Sequence, residues 1–146
     1  MTYRPRYETQ QDRDNESSVK SQIEKWAKCT LTKTGSQAFY DWEAHRDGKL
    51  VALMEFKKRT NPRRQYPTYM VAMKKIDRGI ALAKDAGVPF IFFVQWTDGL
   101  HYLVVNTDTP MTVGTGGRKD RGDRYDMEEM AYFDTALFKP IPSPAP

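Results

Sequence analysis

A single cysteine, Cys29, stands among the 146 residues, so no intrachain disulfide can staple this chain. Histidine is nearly as scarce. With only His45 and His101 to join that thiol, cysteine and histidine fall one ligand short of the four a structural zinc site takes. The longest apolar stretch, Val88 to Val94, falls far short of the roughly 20 residues that a membrane-crossing helix needs. The opening Met1-Thr2-Tyr3-Arg4-Pro5-Arg6-Tyr7 lacks the apolar core of a secretory leader. No internal repeat is visible. These absences set the expectation of a reducing, cytoplasmic setting with no membrane partner.

What is present suffices for one folded unit. Apolar residues make up 39% and aromatics 12%, enough to bury a core at this length. The net charge of +4 is a modest basic bias and by itself says little about partners. The expected organisation is a single domain over 1–146. Within it, a polar arm covers 1–13, a core about 14–105, a Gly-rich charged flexible loop 110–125 and a Pro-rich tail 139–146.

Periodicity orders the core. Asp14 or Asn15 can cap a helix running to about Cys29, with Val19, Ile23, Trp26 and Ala27 at helical spacing. Short β-prone segments follow at Leu31–Thr34 and Ala38–Ala44. Asp47-Gly48 is a two-residue hairpin signal, and the Leu50–Lys58 strand returns from it. A second helix is predicted from Pro67 or Thr68 to Ala86, with Tyr69, Met73, Ile76, Ile80 and Ala83 inward and Gly87 as its C-terminal stop. Strands are expected at Phe90–Val94 and His101–Val105, then a helical turn at Asp126–Met130 and an edge strand or extended packing segment at Ala131–Phe138. The resulting fold class is α/β, a mixed sheet flanked by two helices.

Charge appears where the apolar run ends. In Leu50-Val51-Ala52-Leu53-Met54-Glu55-Phe56-Lys57, an acid and a lysine share one face two residues apart, and Phe56 points away. Strict alternation puts Val51 and Leu53 on that same face. A carboxylate and an ammonium in such a strand need partners. Asp41 is six residues before Asp47 and Glu55 seven after Gly48, so antiparallel pairing sets the two acids nearly opposite. Two carboxylates and a lysine at the end of a sheet can hold a hard cation and activate water against a phosphodiester. The bland alternative is a surface ion pair between Glu55 and Lys57, worth little.

Asp41, a spacer of 13 residues and Glu55-Phe56-Lys57, in helix, three strands, helix, strand order, resemble the PD-(D/E)xK nuclease superfamily over roughly residues 14–105. Tyr40 stands where the motif has proline. The resemblance implies a restriction-endonuclease-like core. It also implies Mg2+, or Mn2+ in its place, held by Asp41, Glu55 and the Phe56 backbone carbonyl, with Lys57 orienting the attacking water. Glu16, on the first helix, matches the position from which several members add a ligand. Glu43 shares the face of Asp41.

Gln65-x3-Tyr69 resembles an element of the recombination-exonuclease branch, placed there at the start of the second helix. Lys58, Arg59, Arg63 and Arg64 follow the motif strand, where phosphate contacts are expected, and Lys74, Lys75 and Arg78 could extend that surface. The function implied is metal-dependent hydrolysis of DNA, structure-directed as in resolvases or end-directed as in exonucleases. A phage origin suits so small a chain and would set it in the host cytoplasm. A resolvase-like mode implies a homodimer. The alternatives are an inactive nucleic-acid-binding module on the same fold and a metal-free interaction protein. Gly114–Gly117 lacks the ending of a phosphate loop, and neither histidine is positioned to activate Cys29.

Overall fold

The computed structural model describes residues 10–35, 40–117 and 127–142, side chains of 10–15, 116, 117 and 127 excepted. Its centre is a six-stranded sheet in the order β1-β2-β3-β5-β6-β9. The strands are β1 (Thr30–Lys33), β2 (Trp42–Arg46), β3 (Lys49–Lys58), β5 (Phe90–Trp96), β6 (Gly99–Val105) and β9 (Lys139–Pro140). Only β3 and β5 run parallel, because helix α2 (Met73–Ala86) carries the chain between them. The other neighbours are antiparallel, so the sheet is mixed and flanked by helices, as the sequence implied.

Both faces of the sheet are covered, which is why β3 and β5 read as continuous apolar runs. On one face, helix α1 (Gln10–Ala27) inserts Val19 and Ile23 against Trp42, Ala44, Met54 and Phe93. On the other, α2 packs Ile76 and Ala83 onto Leu53, Phe92 and Val94. A second sheet, β4-β8-β7, adds Tyr69, Val71 and Phe133 to that cluster. Its strands are β4 (Thr68–Ala72), β7 (Thr112–Gly117) and β8 (Met127–Asp134).

This second sheet corrects several expectations. Thr68–Ala72 is a strand, not the first turns of a helix, and α2 begins at Met73. The burial pattern shows why: Tyr69 and Val71 point in while Thr68 and Met70 point out, a period of two. Asp126 lies outside the described residues, and Met127–Met130 is strand rather than a helical turn. Thr112–Gly117 of the expected loop is β7, while 118–125 is not described. Helix α1 starts at Gln10, ahead of the predicted caps. Of the tail, Ile141 is buried and Gln22 Nε2 donates to the Pro142 carbonyl at 3.0 Å.

Candidate active site

The hairpin sets the site through one extra residue. Asp47 and Gly48 both take positive φ, 54° and 76°, closing the two-residue turn with Arg46 opposite Lys49. The register then shifts: His45 pairs Leu50, but Ala44 pairs Ala52, so Val51 is a β-bulge. Val51 therefore packs with Ala52 on the α1 side rather than sharing the face of Leu53. Without the bulge, strict alternation would turn Glu55 and Lys57 toward α1. With it, they face α2.

The β2–β3 ladder ends at Trp42↔Met54, and Asp41 is the next residue. Its Oδ2 accepts a hydrogen bond from the Phe56 N–H at 2.8 Å, which fixes the carboxylate beside the Glu55 backbone. In β3 the odd-numbered residues turn toward β5, as the bond from Leu53 N–H to the Pro89 carbonyl shows. Phe56 therefore turns its N–H and carbonyl toward the side where β2 has ended.

Glu55 is 1% exposed, among the most buried polar side chains described. Its Oε1 is 2.5 Å from Lys75 Nζ and 3.6 Å from Lys57 Nζ. Its Oε2 is buried with no hydrogen-bond partner. Burial pushes the carboxyl above its usual range, and the charge of Asp41 pushes the same way. The hydrogen bond and charge of Lys75, then the charge of Lys57, pull back without cancelling the rise. Glu55 already faces two lysines through Oε1, so what the site leaves open is a buried donor oxygen, Oε2, beside a second acid. Asp41, Glu55 and the Phe56 carbonyl are hard oxygen donors and fit a small divalent cation.

Glu16 is not brought to this pair. It lies 3.9 Å from Lys33 Nζ on the α1 side of the sheet. Glu43 accepts from the Tyr40 hydroxyl at 2.9 Å. Among the described residues, no three Asp, Glu, His or Cys side chains form a metal-holding group.

The expected DNA-binding residues divide. Lys58 and Arg64 are exposed beyond the motif strand. Arg59 lies over the Tyr69 ring at 4.9 Å and donates to its hydroxyl at 3.1 Å, while burial pushes that phenol up to about 12. Arg63 donates to the Thr135 carbonyl at 2.7 Å, and its backbone N–H donates to Asp98. Arg59, Arg63, Tyr66, Tyr69 and Trp96 line a cavity of about 400 Å3. Gln65 ends a 3-10 turn (Arg63–Gln65), exposed, and Tyr69 belongs to β4, so neither starts the second helix.

The residue that α2 does bring to the acids is Lys75, which the sequence reading placed only on the outer basic surface. Its spacing carried a signal. Lys75 is four residues before Gly79 and eight before Ala83, both buried, so it starts the inward stripe. A lysine there requires an acidic partner.

A search among curated proteins finds no match. Among solved structures, Hjc, a Holliday junction resolvase from the archaeal hyperthermophile Archaeoglobus fulgidus, superposes with a TM-score of 0.55. The likeness covers 85% of this chain and 86% of the resolvase at 9% identity, a similarity of fold alone. The phage putative PDDEXK endonuclease family matches residues 2–141, nearly the whole chain, and the protein therefore belongs to that nuclease family.

Proposed function

We propose that this nuclease hydrolyses phosphodiester bonds in DNA with a divalent metal, Mg2+ or in its place Mn2+, at Asp41, Glu55 and Lys57. The observation that carries the reading is the buried, unpartnered Oε2 of Glu55 beside a second acid. Asp41, Glu55 and the Phe56 carbonyl would hold the cation. When bound, such a cation neutralises phosphate charge and makes water a better nucleophile. Lys57 is 44% exposed and 3.6 Å from Glu55, at the mouth of the site. It would orient the attacking water and donate to the phosphate oxygen as negative charge builds. Lys58, Arg59, Arg63 and Arg64, with Gln65 and Tyr69, would bind the DNA on the flank beyond β3.

The matched family is described as a putative endonuclease family, which favours internal cutting, and the fold likeness to a Holliday junction resolvase favours DNA structure over long sequence as the target. A branched substrate cut on two strands would take two sites, hence a homodimer. Four-way junction, linear duplex, single-stranded and supercoiled DNA, each with Mg2+, Mn2+, Ca2+ or EDTA, form the test. Cleavage is expected with Mg2+ or Mn2+, strongest on the junction, and absent in EDTA. Lys57→Met should lower the rate by about 100-fold or more. Asp41→Asn, which can still accept from Phe56, should keep the melting temperature and lose cleavage. Cutting that persists in EDTA would overturn the metal reading. Binding without cutting under every condition would favour the inactive-module alternative.

A further inference from the structure

The first turn of α2 holds Lys74 and Lys75 and no acid. Cations are disfavoured at that end, where the helix dipole is positive. Lys75 nevertheless sits there half-buried, its Nζ 2.5 Å from Glu55 Oε1. The motif lysine, Lys57, approaches the same oxygen at 3.6 Å and is more exposed, 44% against 29%. Both ammoniums thus crowd one oxygen, and the other is left without a partner.

We propose that Lys75 is a positioning residue: it grips Oε1 so that Oε2 of Glu55 is presented to the metal, and it spares Lys57 for the substrate. The assignment rests on the metal-dependent reading above. A carboxylate ligand keeps its rotamer and its charge only if its second oxygen is held, and partners of this kind tune metal affinity strongly. In a buried pocket a flexible glutamate would otherwise trade between two lysines and an acid. Lys75 comes from a helix whose seat is set by Ile76 and Ala83, so its grip is built into the core. Lys57 reaches the same oxygen from the last residues of β3 with a more exposed side chain. The division of labour follows from that difference in anchoring.

Calorimetric titration of the full chain with Mn2+ and with Ca2+, in the absence of DNA, tests this without any activity readout. Lys75→Met should weaken binding roughly 10–100-fold, the range set by loss of a partner behind a ligand. Lys75→Arg should restore most of it, and Lys57→Met should leave affinity within about threefold. Unchanged or tighter binding in Lys75→Met would overturn the proposal and mark Lys75 as a counter-ion that the metal displaces. Amine labelling of the wild type, read by mass spectrometry, covers the case in which Lys75→Met does not fold. Lys75 should stay protected with and without Ca2+, whereas exposure on adding Ca2+ would overturn its holding role. Should the wild type bind neither ion, the metal reading fails along with this one. Binding by the wild type that Lys75→Met leaves intact sinks only the role of Lys75.

Discussion

At the scale of single residues, the environment of Glu55, the buried acid of the proposed site, makes a pH prediction with a definite sign. Burial first, then Asp41, raises its carboxyl above the ordinary range. The folded chain therefore keeps this proton to higher pH than the unfolded chain does. The contribution to stability is fully present below the ordinary carboxylate range and is lost as pH rises through the raised value. In metal-free buffer, Glu55→Gln removes that titration. Its melting temperature should pull ahead of the wild type as pH climbs from the acid side, and the gap should level off once Glu55 is ionised. Adding Ca2+ should narrow the gap by giving Oε2 a partner. Thermal melts at several pH values check this, and a gap that stays constant across them would refute it. The other titratable core groups do not compete for the role. Burial raises the Cys29 thiol and lowers the His101 imidazole, favouring the uncharged form of each.

At the scale of elements, α2 must lie close to the sheet for Lys75 to reach Glu55, and Gly79 lets it. A Cβ at Gly79 would overlap Phe90 Cε2 and Cζ, on a ring that is 1% exposed. Glycine to alanine inside a helix ordinarily stabilises by about 1 kcal/mol. Here the sign should reverse. Gly79→Ala should cost about 1–3 kcal/mol by overpacking, read as a lower melting temperature, and a rise would place α2 farther from β5 than described. The sequence revealed α2 through Ile76, Ile80 and Ala83, and its end through Gly87, which caps it in the left-handed conformation at φ 70°. The Asp47-Gly48 turn was equally plain, because its signal is local. What stayed hidden was long-range. β4 depends on pairing with β8 some sixty residues later, so Thr68–Ala72 could pass for a helix start. The bulge at Val51 has no residue signature. Yet the one-residue mismatch in counting from the turn to Asp41 and to Glu55 was visible, and the bulge absorbs it.

Across the whole molecule, the basic residues can serve the proposed DNA contact only where the fold frees them. The net charge of +4 is too small to name a face, and the acids and bases of the 118–126 stretch lie outside the described residues. Beyond β3 the arginines have unequal duties. Arg63 ties the 3-10 turn at Arg63–Gln65 to the Thr135 carbonyl, just past the end of β8, and its backbone N–H donates to Asp98. Arg59 is spread over Tyr69. Lys58 and Arg64 are exposed. If this flank binds DNA, neutralising each phosphate releases counter-ions and contributes about 0.9 to the salt slope of log K. Lys58→Ala and Arg64→Ala should each reduce that slope by nearly one, weaken binding alike on every sequence and leave the stability within about 0.5 kcal/mol of the wild type. Arg63→Ala should instead cost roughly 1–3 kcal/mol in stability, because it strips the Thr135 carbonyl of a charged donor. Binding isotherms from 50 to 200 mM salt on a catalytically silent Glu55→Gln background separate the two classes. An unchanged slope in both exposed-residue variants would move the DNA off this flank and leave the cavity beside Tyr69 and Trp96 without a part in binding.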